Sequence, residues 1–67
     1  MTNTPTVGWI GLGAMGAPMA TVTARAGHQV TAFDLNPEVL DSLRPTVSSA
    51  LSAREAATGV DVVVIMV

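Results

Sequence analysis

The spacing of apolar residues changes rhythm along the chain, and each change marks an element. "VGWI", Val7 to Ile10, is short, β-branched and aromatic, stops at a glycine, and reads as a strand. From Ala14 to Ala26 the period lengthens. Met15, Met19, Val22 and Ala26 fall at i, i+4, i+7 and i+11, which predicts a helix with these residues on its apolar face. Pro18 suits that helix only in its first turn, where the missing N–H has no intrahelical acceptor, so the expected start is Ala14 or Met15. Gly27 stands where a C′ glycine ends a helix. "QVTAFD", Gln29 to Asp34, alternates again and reads as a second strand. A second helix follows, with Asn36 as N-cap, Pro37 at its first position and Glu38 complementing the dipole. Val39, Leu40 and Leu43 give it an apolar face, and Pro45 ends it. Thr46 to Ala50 is a weak third strand. Ser52 and Glu55 have capping-box spacing and open a third helix that stops at Gly59. "DVVVIMV", Asp61 to Val67, is a fourth strand, a β-branched run of the kind buried on both faces of a parallel sheet.

The predicted order is β-α-β-α-β-α-β over a single domain, residues 1–67. It implies the α/β class: a three-layer arrangement with a parallel sheet and right-handed crossovers. Composition agrees with a packed domain, since 49% of residues are hydrophobic and 12% charged, too apolar for a disordered chain. Net charge is −2, and the basic residues Arg25, Arg44 and Arg54 are scattered, so no footprint for nucleic acid or an anionic membrane is expected. The chain has no cysteine and one histidine, which excludes a disulfide framework and a Cys or His metal cluster. "MTNTPT" has neither a basic n-region nor an apolar run, and Val62 to Val67 is too short to span a bilayer. The expected location is cytoplasmic.

Four glycines fall between Gly8 and Gly16. Gly11, Gly13 and Gly16 form G-x-G-x-x-G, placed between a strand and a helix, the context in which that pattern signals a dinucleotide site. Gly11 allows a tight turn, Gly13 lets a pyrophosphate approach the backbone, and Gly16 lets the helix pack close to the sheet. Free amides at the helix start, near Ala14 and Met15, would face the phosphates, and Leu12 within the turn is a further candidate cofactor contact. Asp34 ends the second strand 18 residues after Gly16, near the offset of about 20 expected for a ribose-binding acid. Its charge would repel a 2′-phosphate, and Leu35 and Asn36 beside it supply no guanidinium, which favours NAD over NADP as cofactor. Asn36 is a candidate ribose contact as well as a cap. Met66 and Val67, ending the fourth strand, would reach the same crevice. These features describe a partial Rossmann fold. In its usual strand order, 3-2-1-4, the fourth strand is a bare apolar edge, and self-association through it is expected.

The stretch "GWIGLGAMGAPMATVTARAGHQVTAFDLNPE" resembles the N-terminal signature of the β-hydroxyacid dehydrogenases. That family includes 3-hydroxyisobutyrate dehydrogenase, tartronate semialdehyde reductase and L-threonate dehydrogenase, and is related to the cofactor domain of 6-phosphogluconate dehydrogenase. The resemblance continues through "SAREAATGVDVVVIMV", and its G-L-G-x-M-G-x-P-M-A core is more specific than the glycine pattern alone. It implies hydride transfer between a small 3-hydroxy acid and a nicotinamide cofactor. It implies pyrophosphate binding by Gly11 to Gly16, ribose binding by Asp34 and the residues after it, and cofactor contact at the end of the fourth strand. The family's catalytic lysine belongs to a later helical domain, and its glycine-serine substrate motif also comes later. This chain has no lysine, so no catalytic residue is assigned. The chain is expected to be the N-terminal part of such an enzyme, with the hydroxy acid bound only in a full-length parent. The alternative is an inactive nucleotide-binding module. His28 is expected in a surface turn, Met15 and Met19 as core filler, Glu55 as a cap partner, and Asp61 at the end of the sheet away from the ligand.

Overall fold

The structure, a computed structural model, describes residues 4–66 apart from the side chain of Ala14. The elements run β1 (Val7–Ile10), α1 (Gly13–Arg25), β2 (Val30–Phe33), α2 (Pro37–Leu43), β3 (Ser48–Ser49), α3 (Ala53–Ala57) and β4 (Val62–Ile65). All strand pairs are parallel, in the order β3-β2-β1-β4. Val7 lies level with Val30 and Val62, and Ile10 with Phe33 and Ile65, so the three longer strands end together. None of the described helices is long and apolar enough to cross a membrane.

Helices cover both faces of the sheet. α1 packs on β2 and α2, whereas α3 packs on β1 and β2 from the other side. Successive residues of β1 serve the two layers, as a strand's alternation requires. Trp9 lies under Gly16 of α1, and Gly8 lies under the Ala56 carbonyl of α3, where a Cβ would collide. The core runs through Trp9, Leu12, Ala20, Val30, Leu43 and Val47.

Several local expectations are corrected. The stripe Met15, Met19 and Val22 does not face the sheet: Met15 is 71% and Val22 67% exposed. The buried side of α1 holds Gly16 and Ala20, with Ala17 and Ala24 partly buried. Trp9 already fills the space beneath, so only small residues let the helix come close. Pro18 lies in the second turn, because α1 begins at Gly13 rather than at Ala14 or Met15. The Leu12 carbonyl already accepts the Gly16 N–H at 2.7 Å, which starts the helical ladder early. β4 is not buried on both faces. As the sheet's edge it leaves Val62, Val63 and Ile65 exposed. β3 is shorter than Thr46–Ala50, and its register extends only to Thr31 and Ala32.

The caps follow the sequence more closely. Asn36 Oδ1 accepts the Glu38 N–H at 3.0 Å, and Ser52 Oγ accepts the Glu55 N–H at 3.0 Å. The Glu55 carboxylate turns back to the Leu51 N–H, one residue before the cap. Asp61 lies at the N-terminal end of β4, where its Oδ2 accepts the Thr6 N–H at 2.9 Å. His28 contacts the Pro5 carbonyl at that same end.

Candidate functional site

At the opposite, C-terminal end of the sheet, a cavity of about 460 Å³ opens where β1, β2 and β4 stop. Its floor is Ile10 and Phe33, the paired last residues of β1 and β2. The glycine turn, Gly11 to Gly13, forms one wall, Asp34 and Leu35 another, and Met66 closes the side beyond β4. This is where a parallel sheet holds its ligands, outside the carboxyl ends of its strands.

The turn's shape depends on two glycines. Gly11 has φ +84° and Gly13 φ +59°, a region that costs a residue with a Cβ about 1–2 kcal/mol. The Gly11 N–H donates to the Phe33 carbonyl at 2.9 Å, tying the turn to β2. A Cβ on Gly13 would meet nothing within 4 Å, so the backbone there is open to a ligand. Gly16 serves packing. A Cβ there would lie 3.2 Å from the Gly11 carbonyl oxygen and 3.3 Å from Trp9 Nε1. That indole N–H is buried and has no hydrogen-bond partner among the described residues.

Asp34 is half-buried at the cavity rim and engages both carboxylate oxygens. Oδ2 accepts the Leu12 N–H at 2.8 Å, and Oδ1 accepts the Asn36 N–H at 2.8 Å. These donors favour the charged form, Asn36 most and Leu12 next, with a smaller contribution from Gly13. They hold the Asp34 pKa below its ordinary value although partial burial acts the other way.

The expected site residues divide on this geometry. Gly11, Leu12, Gly13, Asp34, Leu35 and Met66 come together around the cavity. Ala14 and Met15 contribute as backbone in the first turn of α1, and the Met15 side chain points to solvent. Gly16 lies beneath the turn rather than in the wall. Asn36 stands outside the lining, its side chain used as the α2 cap. Met66 reaches the cavity because its N–H donates to the Ile10 carbonyl at 2.9 Å, continuing the β1–β4 ladder. Val67 lies outside the described residues. Ile10 and Phe33 line the cavity without having been expected there from sequence. Their signal was positional, since each is the last apolar residue of a strand whose end faces the ligand.

Among the described residues, Asp34 is the only ionisable side chain in the lining. Attraction for an anion therefore rests on backbone amides. The first amides of α1, at Gly13, Ala14 and Met15, have no intrahelical acceptor and lie at the positive end of a 13-residue helix. That donor set, an open glycine and a carboxylate at the rim fit the pyrophosphate and ribose of a dinucleotide.

Comparison with known proteins identifies the family of the chain. Residues 6–67 match the model of the NAD binding domain of 6-phosphogluconate dehydrogenase. The chain belongs to that family. It is 48% identical over 61 residues to the NAD-dependent L-serine dehydrogenase of Pseudomonas aeruginosa, a match covering 90% of this chain and 20% of the relative. It is 41% identical over 61 residues to 3-hydroxyisobutyrate dehydrogenase from the same organism, covering 90% and 20%. Among solved structures, Mycobacterium tuberculosis 3-hydroxyisobutyrate dehydrogenase with L-serine superposes with a TM-score of 0.91 at 38% identity. That match covers 97% of this chain and 23% of the larger one. The chain thus spans about a fifth of the length of the curated relatives it matches.

Proposed function

We propose that this NAD-binding chain serves an oxidoreductase acting on the CH–OH group of a small 3-hydroxy acid. NAD, when bound, supplies the hydride acceptor for that chemistry. The glycine turn and the α1 amides hold the pyrophosphate, and Asp34 receives the adenosine ribose hydroxyls. The observation that carries the reading is that the glycine turn and Asp34 line one cavity, joined by the Leu12 N–H that donates to Asp34 Oδ2 at 2.8 Å. The relatives named for L-serine and 3-hydroxyisobutyrate support the substrate class, because both compounds are small 3-hydroxy acids.

Asp34 is held charged, so it is a poor general base near neutrality and a good repeller of a 2′-phosphate. Titration of the chain with NAD and NADP by calorimetry should show tighter binding of NAD. Asp34→Ala should narrow the preference by about tenfold, the size of one charge-assisted contact. Equal binding of the two cofactors by the unmodified chain would refute the assignment of Asp34 as selector. Hydroxy-acid oxidation is to be assayed with the chain joined to the remainder of a full-length dehydrogenase.

A further inference from the structure

Of the three helices among the described residues, two carry a side-chain cap and α1 does not. α2 is capped by Asn36 and α3 by Ser52, each the residue immediately before its helix. The corresponding residue of α1 is Leu12, which has no side-chain acceptor, and the first turn of α1 holds no acidic residue. The Leu12 amide is instead held by Asp34 Oδ2, 22 residues away on the neighbouring strand. Leu12 also stands between two glycines in the left-handed region, Gly11 at φ +84° and Gly13 at φ +59°. Glycine backbone has the widest choice of conformations, so a turn built this way needs an outside tie to keep one shape. The buried Leu12 side chain fixes one side of the residue and the Asp34 carboxylate fixes the other.

We propose that Asp34 is a positioning residue for the glycine turn, setting the Leu12 amide and through it the phosphate-facing amides of Gly13, Ala14 and Met15. The proposal rests on the reading of the cavity as a dinucleotide site, and adds a role that ribose binding does not require. A carboxylate beside a pyrophosphate is electrostatically unfavourable. As a ribose ligand alone, Asp34 would weaken the binding of any phosphate group that carries no ribose. As the tie for the turn, it strengthens that binding by preorganising the donors. The two roles predict opposite signs.

Inorganic pyrophosphate, which has no ribose, separates them. The unmodified chain and Asp34→Asn are titrated with it and, in parallel, with ADP, followed by amide NMR shifts. Asparagine has a single carbonyl oxygen for the two amides that Asp34 serves, so one N–H is left against its NH₂ group. Pyrophosphate should bind the variant about fivefold more weakly, the scale of one lost hydrogen bond. Unchanged or tighter binding would overturn the positioning role while leaving the cavity as a nucleotide site. An unmodified chain that bound neither pyrophosphate nor ADP would overturn the site itself, and the proposal with it. Should Asp34→Asn fail to fold, the tie itself is tested by acidifying the unmodified chain, with pyrophosphate affinity expected to fall as Asp34 is protonated. Protonating Asp34 should move the Leu12 and Asn36 amide protons together, below the ordinary carboxylate range. A Leu12 amide that does not follow Asp34 would overturn the tie.

Discussion

Gly8 and Gly13 lack a side chain for different reasons, and an alanine at each separates the two. At Gly13 a Cβ finds open space, so Gly13→Ala meets only the strain of φ +59°. The expected loss is about 1–2 kcal/mol. At Gly8 a Cβ runs into the Ala56 backbone, with the Val60 side chain close by. α3 must then lift off β1, and Gly8→Ala should cost about 3 kcal/mol, the upper range for an overpacked core. A small domain has little to lose, with stability of order 5–15 kcal/mol and often the lower end at this size. Urea midpoints of the two variants test the order. Pyrophosphate affinity should fall for Gly13→Ala, whose new methyl enters the open backbone of the turn.

At the scale of the element, α1 shows how a hydrophobic pattern can point the wrong way. Its large apolar residues follow a 3.6 period and nonetheless face water, while the buried side is glycine and alanine. Ala20 is 0% exposed. Ala20→Leu should therefore destabilise the fold by about 1–3 kcal/mol, even though it increases the helix's hydrophobicity. Met19→Gln should shift stability by no more than about 0.5 kcal/mol. Thermal melts of the two variants decide between the buried and the exposed face. The element order was legible because glycine, proline and cap residues punctuate the chain. The G-x-G-x-x-G spacing and Asp34 were legible because their meaning depends on order along the chain. The helix face was not, because it depends on Trp9, a partner six or more residues away that fills the space first. Ile10 and Phe33 were missed for a related reason, since they form a floor only when the strand ends line up. The link from Asp34 to Leu12 has no trace in local sequence, because it joins two elements through a single carboxylate.

Across the whole molecule, the sheet has two unlike ends and two unlike edges. One end ties Thr6 to Asp61, and the other opens the cavity. One edge is the two-residue β3 with serine at both positions. The other is β4, apolar, paired with β1 on one side and with no strand on its outer side among the described residues. α3 covers β1 and β2, and Ile65 is left 64% exposed. An uncharged apolar edge invites pairing with another strand, so the isolated chain is expected to self-associate. Ile65→Lys should reduce that association, because a lysine on an edge opposes strand addition. It should leave nucleotide binding intact, since Ile65 is not in the cavity lining. Sedimentation velocity at several concentrations is the measurement, and equal association of the variant and the parent chain would refute the edge as its cause.

The position of Trp9 has an optical consequence. It is the chain's sole tryptophan, and the chain has no tyrosine, so near-ultraviolet emission comes from one buried indole. That indole lies directly beneath Gly16, at the foot of the turn assigned to the pyrophosphate. Its emission band overlaps the absorption of reduced nicotinamide and not that of the oxidised form. Resonance energy transfer from Trp9 would therefore register bound NADH and ignore bound NAD, giving the chain a built-in gauge of the redox state of its cofactor.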